Sequence, residues 1–204
     1  MKIAIDLNDV IRDYSNNFVK YYIEGYDREY DLSDFEIWSC DMSAVLPFRS
    51  DRSYQNFMYN DYAFELYGKC PTCGKSLPSD LCEWMEVSIP DIDEKGEIEI
   101  MYVSPKEYGL SIGSTYFFIS KLGTKVREVY LPSEMNKIWE RCDVLITANP
   151  DLLLLKPHGK ISVRIETDYN KDAPADRTYR NMKAVCKDNN FIEELLKRNE
   201  MSEK

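Results

Sequence analysis

Ile3-Ala4-Ile5-Asp6-Leu7-Asn8-Asp9-Val10 is the stretch whose reading decides the fold. Its apolar start fits a short buried strand, closed by Asp6, with polar Asn8 and Asp9 just beyond. Open α/β sheets gather their chemistry at the carboxyl ends of inner parallel strands, so a carboxylate there is a candidate functional group.

Outward from this run, apolar stretches with polar ends recur at 98–103, 126–131, 144–146 and 161–165. Between them, residues 110–122 space Ile112, Tyr116, Ile119 and Leu122 close to a helical period, with Gly123 as a natural stop. Ser133 is placed to cap a helix over 134–139, and Pro150 opens a short helical turn reaching residue 155. Strands alternating with helices predict a parallel sheet with right-handed crossovers, a doubly wound, Rossmann-like α/β fold. Residues 13–95 differ in character, being rich in Tyr, Trp and Phe with few clean strands. They are expected to form an inserted, mainly helical cap subdomain, with residues 1–12 and 96–204 as the core.

A chain of 204 residues with 44% hydrophobic and 30% charged content accommodates one buried core plus an insertion. The net charge of −10 disfavours a nucleic-acid polymer or an anionic membrane as partner. No run approaches the roughly 20 apolar residues that span a bilayer. Lys2 alone precedes the first strand, too little for a secretory leader, so the expected location is cytoplasmic.

An apolar strand ending in Asp-x-Asn, then a long insertion, then strand–helix units resembles the haloacid dehalogenase (HAD) superfamily. The 5′(3′)-deoxyribonucleotidase-like branch is the most similar. The resemblance implies a phosphatase fold whose first motif is Asp-x-Asp. By that resemblance Asp6 is the nucleophile, while Asn8 replaces the second carboxylate, the general acid. The second motif falls on Ser104, ending the 98–103 strand, with Ser133 as a rival. The third, a lysine offsetting phosphate charge, falls on Lys137, with Lys156 as the alternative.

The fourth motif should supply acids that hold Mg²⁺ together with Asp6 and the position of Asn8. Here Thr147 and Ala148 stand in their place, with Asp151 further on; a second register uses Asp168 and Asp172. Glu166-Thr167-Asp168-Tyr169-Asn170 is similar to the family's segment after the fifth strand, which favours the first register. Mg²⁺ prefers carboxylate and water oxygens in octahedral array, and neither Ala nor Thr restores the missing charge. Losing a general acid costs on the order of 10²–10⁴-fold in rate, and losing the metal site adds to that. Asp9 is expected to point away from Asn8, since neighbours along extended chain face opposite ways.

Cys70-Pro71-Thr72-Cys73-Gly74 is a second pattern with chemical content. Such a turn aims two sulfurs at one point, as in zinc knuckles, and Cys82 with Cys40 or a carboxylate would complete a structural Zn²⁺ site. The same residues also read as free thiols in a turn, and Cys142 and Cys186 as ordinary buried thiols.

Two functions follow. One is a Mg²⁺-dependent phosphohydrolase acting on a small phosphate ester, nucleotidase-like, through an aspartyl-phosphate at Asp6. The other keeps fold and cap for binding or for assembly with a protein partner, with little or no turnover. The residues standing at 8, 147 and 148 tilt the expectation to the second.

Overall fold

The computed structural model describes residues 1–26, 31 and 34–202. Part of the aromatic insertion, residues 27–30 and 32–33, lies outside them. Strand β1 (Lys2–Asp6) leads into α1 (Tyr14–Tyr26), α2 (Met42–Val45), α3 (Asp51–Asn56), α4 (Leu77–Glu83) and α5 (Ile89–Ile92). The chain re-enters the sheet as β2 (Glu99–Val103), followed by α6 (Leu110–Leu122), β3 (Glu128–Tyr130) and α7 (Lys137–Arg141). Then come β4 (Val144–Thr147), α8 (Pro150–Leu154), β5 (Ile161–Ile165), β6 (Arg177–Tyr179), α9 (Met182–Cys186) and α10 (Asn189–Ser202).

The six strands lie in the order β3-β2-β1-β4-β5-β6, and every pairing is parallel. The chain steps outward from β1 to β3, then crosses back to β4, so the order reverses between β1 and β4. Crevices at such a reversal are where open α/β sheets bind ligands.

Both faces of β1 are covered, which is why its sequence runs apolar rather than alternating. Ile3 and Ile5 join a cluster containing Tyr102, Ile146, Val163, Trp84, Phe118 and Phe191. Ala4 faces the other way, against Met101, Leu145 and Trp139. Burial of each large apolar side chain contributes about 1.5–3 kcal/mol, so these two layers are what hold the sheet.

The insertion divides between two cores. Phe18 and Tyr22 of α1 pack with Met42, Phe57, Leu66 and Tyr67 in a cluster of their own. Leu77, Leu81, Trp84 and Ile89 instead pack with the strands. Within the insertion, α3 passes into two π-helical turns, Phe57–Asp61 and Phe64–Gly68, rather than continuing as one α-helix.

The helix expected after Ser133 starts later, at Lys137, with Asn136 at its cap position. Pro132 O accepts from Lys106 N at 2.8 Å, which ties residues 132–136 to the β2–α6 connection before the helix can begin. α6 spans the residues its spacing predicts, and Gly123 ends it at φ 71°, a left-handed position suited to glycine. No helix among the described residues is long and apolar enough to cross a membrane.

Candidate functional site

Register brings the first and fourth motif segments together. Ile5 pairs with Ile146, so one step on Asp6 and Thr147 meet at the carboxyl edge of the sheet. Thr147 Oγ1 donates to Asp6 Oδ2 at 2.7 Å, and Asn8 N donates to Asp6 Oδ1 at 3.4 Å. Asp6 is 2% exposed. Burial pushes its carboxyl up to about 7, against the lowering effects of the Thr147 and Asn8 bonds and the nearby Arg12 guanidinium.

Arg12 dominates the site, and all five of its N–H groups are engaged. Nε donates to Asn8 Oδ1 at 2.5 Å, and Nη2 to Ser104 Oγ at 2.9 Å and Glu107 Oε1 at 2.5 Å. Nη1 donates to Thr115 Oγ1 at 2.8 Å and Tyr67 O at 3.4 Å. Thr115 Oγ1 in turn donates to Glu107 Oε2 at 2.5 Å. The guanidinium also lies 4.8 Å from the Tyr67 ring centroid. The network joins the loop after β1, the loop after β2, helix α6 and the insertion into one buried knot.

The residues expected from sequence therefore divide. Asp6 and Asn8 share a hydrogen bond, and Asn8 and Ser104 are bridged by Arg12. Lys137 stands apart, with its ammonium 3.2 Å from Glu134 Oε1 on a half-exposed surface. Lys156 pairs with Asp176 at 3.0 Å. Asp168 pairs with Lys171 and is 82% exposed, whereas Thr147 sits against Asp6.

Asp9 adopts a φ of 56°, so the chain is not extended there. Its carboxylate accepts from Ser15 N at 2.8 Å, from the Ser15 hydroxyl, and from Tyr169 Oη at 2.8 Å. Next to Tyr169, Asn170 Nδ2 donates to Ala148 O and Ile165 O at 2.8 Å each, locking the loops after β4 and β5 together. Arg12 and Glu107 have no counterpart among the residues singled out in the sequence. The available signal was a pair of opposite charges, one following each motif loop.

No family model matches the chain, and no curated protein matches its sequence. Solved structures do. A haloacid dehalogenase-like hydrolase from Burkholderia xenovorans aligns over 94% of this chain and 97% of its own, with TM-score 0.51 and 10% identity. A dehalogenase solved with an intermediate complex aligns over 90% and 94%, with TM-score 0.51 and 12% identity. The fold is that of the haloacid dehalogenase-like hydrolases.

That fold implies Mg²⁺ at the carboxyl end of β1, and the residues present do not fit it. Asp6 is a single carboxylate with one oxygen taken by Thr147, the Asn8 amide oxygen is held by Arg12, and the adjacent cation is a guanidinium. A hard cation needs more anionic oxygen than this. Among the described residues, no three His, Cys, Asp or Glu gather in a metal-binding group.

The four-cysteine zinc site is likewise not assembled. Cys82 Sγ lies 3.5 Å from Leu122 O, at the end of α6, while Cys40 Sγ lies 3.9 Å from Asn149 Oδ1 beyond β4. The 70–73 turn is used differently, with its backbone bonded to the loop after β1. Cys73 N donates to Ile11 O at 2.8 Å, and Asp13 N donates to Pro71 O at 2.8 Å.

Above the knot lies a cleft of about 650 Å³ between the sheet edge and the insertion. Tyr54, Tyr59 and Tyr108 line it together with Asp41, Asp51 and Asp151. Asn8 and Glu107 reach it from below, while Asp6 and Ser104 stay beneath the lining. Lys106 is the only lysine or arginine on its walls among the described residues.

Proposed function

We propose that this chain uses a hydrolase fold for binding, with little or no phosphoryl transfer. One observation carries the reading: the Arg12 guanidinium occupies the space between Asn8 and Ser104, where the resemblance assigns a phosphoryl group. Its 2.9 Å bond to Ser104 Oγ and its ion pair with Glu107 leave it neutralised and without a spare donor.

Phosphoryl transfer is largely positioning and electrostatic stabilisation, so a site without a second carboxylate, whose residues do not suit a hard cation, has lost most of its means of catalysis. The cleft reinforces this. A phosphate ester entering it would meet Asp41, Asp51 and Asp151 with only Lys106 to offset them, Glu107 being paired with Arg12. The ligand-sized cleft, aromatic on one wall, suits recognition of a small molecule better than a flat assembly surface.

The alternative, a Mg²⁺-dependent phosphohydrolase of nucleotidase type, draws on the burial of Asp6 at the switch point of the sheet. The deciding assay is release of phosphate from para-nitrophenyl phosphate and mononucleotides in the presence of Mg²⁺. The binding reading expects no rate above that of Asp6→Asn; Mg²⁺-dependent turnover abolished by that substitution overturns it.

A further inference from the structure

We infer that the cleft above Arg12 binds a small organic cation, an aliphatic amine or polyamine. The inference rests on the non-catalytic reading only in leaving the cleft free of phosphate ester. At about 650 Å³ the cleft lies within the range of small-molecule sites, roughly 300–1,000 Å³.

Its walls combine the two groups that recognise ammonium ions. Tyrosine rings attract cations through their faces and pack against methylene chains. Tyr59 and Tyr108 are in contact, with ring centroids 3.8 Å apart, and Tyr108 is about half exposed. Tyr54 stands on the same lining.

The carboxylates are not equivalent. Glu107 is answered by Arg12, and Asp41 caps α2 through Ser43 N at 3.0 Å. Asp51 and Asp151 are exposed, each in the first turn of a short helix, and neither belongs to a salt bridge among the described residues. A cation carrying two or more amines, separated by alkyl spacers, satisfies both carboxylates while its methylenes lie on the tyrosines. A bare metal ion gains nothing from the rings. An anion is repelled by Asp41, Asp51 and Asp151, three carboxylates set against the one ammonium of Lys106.

The test is isothermal titration of the full chain with spermidine, with Mg²⁺ and inorganic phosphate as separate titrants. Saturable one-to-one spermidine binding is expected, without saturable binding of either control. Asp51→Asn and Asp151→Asn should each weaken binding by about fivefold, the loss of roughly one charge contact. Tyr54→Leu should weaken it by about tenfold, within the range of a cation–π contact plus lost packing. Lys106→Asn should tighten it; Asn tolerates the φ of 61° that Lys106 adopts. Melting curves identify any variant that fails to fold, and the exposed Asp51 and Asp151 variants remain informative if Tyr54→Leu does fail.

No saturable spermidine binding, displacement by equimolar Mg²⁺, or affinities unmoved in both aspartate variants overturns the inference. Saturable phosphate binding instead of spermidine also overturns it. Turnover at Asp6 would sink the non-catalytic reading alone, because it leaves the spermidine titration to stand or fall by itself.

Discussion

Arg12 Nη2 lies 2.5 Å from Glu107 Oε1, and the two side chains are 0% and 1% exposed. Breaking such a pair from one side strands the other charge in a dry interior, at a cost of about 3–5 kcal/mol. Arg12→Met and Glu107→Leu should each destabilise by that amount in urea unfolding. The double variant should recover most of the loss, because no buried charge remains. Additive losses would show that the pair is not coupled.

Asp6 supplies a pH-dependent test. Its carboxyl is raised to about 7 by burial, from an ordinary value of 3.8. The folded state therefore holds a proton that the unfolded chain releases between those limits. The stabilisation from that proton is full below about pH 4 and is lost as pH rises through 7. Asp6→Asn is free of this loss, and should be more stable than the parent by about 2 kcal/mol at pH 8, after discounting an impaired bond from Asn8 N. The gap should open between pH 4 and 7 and stay constant above. Denaturant midpoints measured across that range check it; a gap that widens towards acid pH contradicts it.

Asn170 holds two loops by donating to Ala148 O and Ile165 O. Asn170→Ala should cost about 2–3 kcal/mol by leaving those buried carbonyls unpaired. Asn170→Asp should be no milder, since a carboxylate repels both oxygens. Thermal melts of the two variants decide the matter.

Cys40 and Cys82 contact groups on separate elements, Asn149 after β4 and Leu122 at the end of α6. A chelator should therefore leave the melting temperature unchanged, and Cys82→Ala should cost only about 1 kcal/mol as a small packing loss. Stoichiometric zinc in the purified protein, with a melting temperature that drops on chelation, would contradict this arrangement.

Sequence exposed the fold wherever burial is uniform. β1, β4 and β5 read as apolar runs because both of their faces are covered. β6 escaped notice because Arg177-Thr178-Tyr179 is a three-residue edge strand with no apolar run. The helices over 77–92 escaped for a different reason. These are two short helices with Pro78 and Pro90 in their first turns, where proline is tolerated, and neither is long enough to show a clear helical period.

At the site, Asp6, Asn8 and Ser104 were legible because strand order alone places strand ends together. Arg12 and Glu107 were not. A charge following Val10 and Ile11 reads as a surface residue, and its partner lies 95 positions away. Only the folded chain brings the loops after β1 and β2 close enough to bury both.

The central claim is that Arg12 fills the place of a phosphoryl group beside Asp6. Beryllofluoride, which mimics a phosphoryl group on a carboxylate, tests it most directly when titrated with Mg²⁺ and followed by ¹⁹F NMR. The account predicts only free fluoride species at any protein concentration. A bound signal at one equivalent, lost in Asp6→Asn, would contradict it.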